Sequence, residues 1–187
     1  MTSKVLEIPV KKEPKNKEVA TKPPPKKRVI TSTKKWTFSE YDLSPENQSS
    51  HIKFLGNHNN CNSKEMDETQ EHITQFIQTQ IRDKIAGYKY QDIKKDIYDD
   101  VQFVDFNTVL DIMRRADLKC FYCKEPVLVL YEHVRDLKQW TIERLDNTRG
   151  HNCDNAEIAC LGCNLRRRTM YHERYLFTKQ LNIVKCV

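Results

Sequence analysis

The chain of 187 residues has no long hydrophobic run. Its longest uninterrupted apolar stretch, Val127-Leu128-Val129-Leu130-Tyr131, is five residues, against the roughly 20 that a membrane-spanning helix needs. No secretory leader is recognisable, so neither a membrane partner nor export is expected. Hydrophobic residues are also scarce, at 38% against 31% charged, where an average domain has about 45–50% and about 25%. A chain so short of apolar surface does not pack along its whole length, and part of it should be tail or linker. There is no internal repeat either.

Cysteine is well represented, with seven in the chain. Without an export signal these point to an intracellular, reducing compartment, where Cys-x-x-Cys pairs bind metal more often than they form disulfides. Cys120 and Cys123 form one such pair, Cys160 and Cys163 a second, with 36 residues between them. The two-residue gap lets both sulfurs of a pair face one ion at about 2.3 Å, and four thiolates complete a tetrahedral shell. A closed shell of this kind leaves no position for chemistry, so the expected zinc is structural. Cys61, Cys153 and Cys186 have no such partner. Cys153 lies in the loop between two expected strands and is the alternative fourth ligand, although Cys160 suits the spacing better.

Charge is unevenly spread. Of the net +6, residues 1–35 carry +8, from eleven Lys/Arg and three Glu, and the rest of the chain sums to −2. The last 24 residues hold six Lys/Arg against one Glu. Basic character at both ends suits a protein that meets a polyphosphate such as DNA. Residues 1–35 are Lys- and Pro-rich and should be disordered. Residues 25–29, Pro-Lys-Lys-Arg-Val, resemble a nuclear import signal, although a solvated basic arm is the commoner meaning of such a run.

The expected fold class is α+β, in three parts: residues 1–63 as disordered tail and linker, 64–117 as a helical region, and 118–187 as the metal-bound part. Scattered aromatics in 36–63 leave that stretch open between local packing and docking. Ile73, Phe76, Ile77, Ile81 and Ile85 recur at helical spacing from about Lys64 to Ala86, and Gly87 follows as a stop. A second helix is expected from about Phe106 to Asp117, with Val109, Leu110, Met113 and Ala116 on one side and Asp105 or Asn107 as cap. A short third helix fits between Tyr88 and Val104. These helices read as scaffold. Strands are expected over 127–131, 140–145 and 156–159, and a long basic helix from Cys163 or Asn164 to about Lys179.

Between the cysteine pairs sit Glu143, Asp146, His151 and Asn155, and directly after the second pair sits Asn164, residue types that metal-assisted phosphodiester hydrolysis needs. Arg166, Arg167 and Arg168 follow on the helix, where contacts to a DNA backbone are the expectation. Residues 140–168, with Cys120 and Cys123 upstream, resemble the HNH endonucleases of the His-Me finger (ββα-metal) class. They are most similar to its zinc-stapled branch, typified by the phage recombination endonuclease VII and by HNH proteins of large DNA viruses. The resemblance covers about 50 residues and leaves the N-terminal half unexplained.

What it implies is a zinc-stapled ββα-metal finger that cuts DNA with Mg²⁺ or Mn²⁺, and, by the same likeness, a viral origin. Glu143 matches the family's acidic position, Asn155 the loop-positioning asparagine, and Asn164 the helical metal ligand. Asp146 is a second candidate ligand or a plain turn residue. The family's general-base position holds Arg144, which cannot act as a base but can clamp phosphate. His151, the one histidine inside the motif, is then the candidate base, with His133 as competitor from the preceding turn. A homodimer is expected if the substrate is branched DNA, since resolving a junction takes two sites. The rival readings are a DNA-binding module whose nuclease centre has decayed, and a protein in which zinc only stabilises a small core.

Overall fold

The computed structural model describes residues 5–9, 38–57 and 68–186. Among these described residues, four short strands and five helices follow in the order β1 (Val5–Pro9), α1 (Pro45–Asn57), α2 (Glu68–Lys94), α3 (Phe106–Arg115), β2 (Trp140–Arg144), β3 (Ala156–Cys160), α4 (Leu161–Arg167), α5 (His172–Gln180) and β4 (Asn182–Cys186). The architecture is α+β. Among the described residues no helix is long and apolar enough to cross a membrane.

β2 and β3 form an antiparallel pair in register from Trp140↔Cys160 to Arg144↔Ala156. Trp140, Ile142 and Ile158 are buried, and they join Val109, Leu110, Ile112 and Met113 of α3 in the core. The period expected for α2 holds, with Ile73, Ile77 and Ile81 buried. Asp105 caps α3 by accepting from the Thr108 N–H at 2.7 Å.

Several expectations are corrected. The stretch 1–63, read as tail and linker, contains β1 and α1. β1 pairs in parallel with β4, from Val5↔Asn182 to Pro9↔Cys186. The lysine-rich average of residues 1–35 hides Val5, Leu6 and Ile8, residues with strand propensity. The rest of that stretch, including the import-like run at 25–29, lies outside the described residues, as does Cys61. α1 buries Ile52 and Leu55.

Gly87 does not stop α2, which continues seven residues beyond it to Lys94. A helical glycine costs about 1 kcal/mol relative to alanine, and the last two turns offset this by docking onto β2 and the loop after it. The helix ends where Asp96 takes a left-handed φ of 57° and the Ile97 N–H reaches back to the Asp92 carbonyl at 3.1 Å. That is a helix-ending motif usually signalled by glycine, here built on an aspartate.

Residues 127–131 are not a strand. The Val129 and Leu130 N–H groups both donate to Gln48 Oε1, at 2.7 and 2.8 Å. Consecutive N–H groups of an extended strand point to opposite edges, so sharing one acceptor requires an irregular backbone. The long C-terminal helix is also broken. α4 begins at Leu161, and Arg168, with φ 54°, separates it from α5. α5 then turns back so that Tyr175 packs edge-on against Tyr122, with ring centres 4.8 Å apart.

Candidate functional site

The ligand atoms of Cys120, Cys123, Cys160 and Cys163 all lie within 4.8 Å of one another. Two local turns and one sheet register bring them together. In the first knuckle the Cys120 N–H donates to the Glu125 carbonyl and the Lys124 N–H to the Cys120 carbonyl, with Lys124 at φ 59°. The Phe121 N–H then donates to the Ile158 carbonyl at 2.8 Å, which fastens the knuckle to β3. In the second, Cys160 caps α4 and its sulfur accepts from the Cys163 N–H at 3.4 Å.

Tetrahedral thiolates about 2.3 Å from an ion stand about 3.8 Å apart. Cys123 and Cys160 are 3.9 Å apart, far beyond a disulfide. The four cysteines can hold a structural metal ion such as zinc. Cys153 is exposed and contacts Thr108 instead. The side chain of Cys186 lies outside the described residues.

Along β2 a groove of about 450 Å³ opens between α2 and α4. Glu143, Arg144, His151, Asn164, Arg167 and Arg168 all line it. Asp146, Asn155, Arg166 and His133 do not. His133 belongs to the turn before β2 and lies 3.7 Å from Glu132.

His151 is 4% exposed. Its Nδ1 lies 2.8 Å from Asp92 Oδ1, and its backbone N–H donates to Asp92 Oδ2 at 2.6 Å. Tyr88 packs on the imidazole with ring centres 4.5 Å apart. Burial pulls the imidazole down to about 4, with the Asp92 carboxylate opposing that shift. The ring is therefore neutral near pH 7, with Nδ1–H donating to Asp92 and Nε2 unprotonated. Nε2 makes no hydrogen bond among the described residues.

Asp92 was not foreseen from the sequence. It sits on α2, 59 residues before His151, and nothing in its neighbours distinguishes it from a solvated helix aspartate. α2 is more than scaffold. Lys84, Tyr88 and Asp92, one per helical turn, bond in succession to the Trp140 carbonyl, the Ile142 N–H and His151. Gly150 makes the last contact possible. A Cβ there would come within 2.5 Å of the Ile97 carbonyl oxygen and 3.0 Å of Asp92 Oδ2.

Glu143 is 2% exposed and its Oε1 accepts from Tyr122 at 3.2 Å and from Arg167. Burial raises its carboxyl above the usual range, and Arg167 opposes this. Arg167 itself is the clearest correction to the expected basic surface. It is 3% exposed, and besides Glu143 it donates to the carbonyls of Arg144 and Leu145, both at 2.8 Å, and to Asn147 Oδ1 at 3.2 Å. A guanidinium with four protein acceptors ties α4 to the end of β2 and is not presented to a ligand. Arg166 and Arg168 are exposed.

Asn155 is buried and joins both ends of the 146–150 turn. Its Oδ1 accepts from the Asp146 N–H at 2.8 Å, and its Nδ2 donates to the carbonyls of Asp146 and Gly150, each at 2.9 Å. Asp146 points away, exposed, with Oδ1 accepting from the Thr148 N–H and hydroxyl. Those two bonds hold its carboxyl below the usual range and give it the turn role. Arg144 donates to the carbonyls of Asn147 and Arg149.

Asn164 donates from Nδ2 to Thr141 Oγ1 at 3.1 Å, which engages the nitrogen and leaves the amide oxygen as its remaining acceptor. Glu143 and Asn164 thus offer the groove two oxygen donors of the kind Mg²⁺ takes while keeping its waters. Arg167 partly cancels the charge of the first. No protein-family model, curated protein or solved structure matches the chain.

Proposed function

We propose that the chain is a metal-dependent DNA endonuclease that hydrolyses phosphodiester bonds, with a structural zinc in the four-cysteine cluster. The observation that carries this reading is the Asp92–His151 pair opening on a groove that also holds Glu143, Arg144 and Asn164. His151 Nε2 takes the proton from the attacking water, and a positioned base of this kind is worth about 10²–10⁴-fold. Asp92 holds the tautomer that keeps Nε2 free and stabilises the imidazolium that forms. Arg144 and Arg168 attract the phosphate. Glu143 and the Asn164 oxygen would hold a Mg²⁺ or Mn²⁺ ion, which would supply charge stabilisation for the leaving oxygen.

A specific observation favours a second reading, a DNA-binding module without cleavage. Glu143 is engaged by Arg167, and a cation must compete with that guanidinium for it. Purified protein incubated with duplex and four-way-junction DNA, with Mg²⁺, with Mn²⁺ and with chelator, separates the two. Cleavage that needs the divalent ion and is lost in His151→Ala supports the nuclease. Salt-sensitive binding with no cleavage under any condition assigns the chain to the module. No binding at all removes both.

A further inference from the structure

We infer that the groove takes one unpaired DNA strand, with a base turned against Leu161 and Leu165, in preference to the backbone of an intact duplex. This rests on the DNA reading above and narrows its substrate class. The groove has two walls. α2 contributes Gln91, α4 contributes Leu161, Leu165 and Arg168, Lys95 just past the end of α2 extends the first wall, and β2 forms the floor. Its volume of about 450 Å³ is that of a small-ligand cleft, roughly 300–1,000 Å³, a scale suited to one nucleotide unit.

Its chemistry is mixed in a way a pure backbone binder does not need. Lys95, Arg144 and Arg168 line it, and among the described residues none of them forms an ion pair with a carboxylate, although Arg144 acts on Glu143 and Asp146 at longer range. The groove's own acid, Glu143, is paired with Arg167. The surplus is positive and suits phosphate. Beside these cations α4 presents Leu161 and, one turn on, Leu165, which is 47% exposed. Duplex backbone offers phosphates and sugars, whereas an unpaired base offers an apolar face. Cations next to the exposed Leu165 and the half-buried Leu161 match the second.

The test uses the full chain carrying His151→Ala, so that substrate is bound and not cut. A labelled oligonucleotide is titrated by anisotropy, single-stranded and annealed to its complement. The single strand should bind about tenfold tighter. Leu165→Ala in that background should weaken single-strand binding about fivefold and leave duplex binding unchanged. Lys95→Ala with Arg168→Ala should weaken both and flatten the salt dependence. Metal content in the cysteine cluster serves as the folding control. Duplex binding as tight as or tighter than single-strand binding overturns the inference while leaving the DNA reading in place, and so does indifference to Leu165→Ala. Failure of both oligonucleotides to bind overturns the two together.

Discussion

The cysteine cluster and the Asp92–His151 pair sit at opposite ends of one two-stranded sheet, and they are built differently. At the Trp140↔Cys160 end, four ligands come from two short turns, the first closed by its own backbone bonds and the second by the Cys163 N–H donating to the Cys160 sulfur. At the Arg144↔Ala156 end, the central pair joins side chains 59 residues apart and depends on α2 lying along β2. The first centre can form wherever residues 118–163 fold. The second exists only when the helical region docks on it. One therefore belongs to stability and the other to positioning, and changes at each should separate these effects.

The largest effect is expected at the cluster. Cys120→Ser or Cys163→Ser should remove the metal and unfold residues 118–180, since a small metal site supplies much of its domain's folding free energy, about 10–16 kcal/mol for zinc peptides. Metal analysis with circular dichroism checks this. Well-folded wild-type protein without bound zinc would sink the structural-metal reading.

Next comes the groove. If the proposed chemistry holds, Asp92→Asn should slow cleavage by about 10²–10⁴-fold with metal retained, because a carboxamide can donate to Nδ1 and favour the wrong tautomer. Adding His151→Ala should cost little more, as residues acting through one another are not additive. Two independent losses that multiply would break the pairing. The same pair predicts a pH response. A base must be neutral to act, and burial holds His151 below 6.5, at about 4. Cleavage should therefore keep its plateau as pH falls through 6.5, and an acid limb at or above 6.5 would contradict the assignment.

Smaller still is Gly150→Ala, which forces a methyl group onto the Ile97 carbonyl and Asp92. It should lower stability by about 1–3 kcal/mol, read from the thermal midpoint, and reduce cleavage more than metal content. No change in either would mean that the turn yields freely.

A pH effect on stability is expected from Lys84, which holds α2 to the cluster end of β2. Burial pulls its ammonium down to about 7. The rings of Trp140 and Tyr131, 4.6 and 4.9 Å away, oppose this, but among the described residues no carboxylate pairs with it. The folded pKa thus lies below that of the unfolded chain, about 10.4, so between these values the unfolded chain binds more protons. Stability should rise with pH across about 7–10, and Lys84→Met should flatten that slope in denaturant titrations. A flat wild-type profile would mean that the rings and carbonyl keep the ammonium charged.

How much of this was legible beforehand follows the same division. The sequence by itself determined the cysteine cluster, β2, β3, the buried face of α2 and the cap of α3. Each rests on spacings of two to four residues or on a period that one segment carries alone. His151 and the acid, arginine and asparagine around it were also named from the chain. Only the tertiary structure decided which of them meet. It turned Asp146 outward, buried Arg167 against Glu143, broke the last helix at Arg168 and carried α2 past Gly87. It also bent residues 127–131 around Gln48 and supplied Asp92. The physical reason is common to all of these. A polar side chain's role depends on what desolvates it and what bonds it there. For Asp92, Gln48 and Arg167 those partners lie 20 or more residues away in the chain, where no local pattern records them.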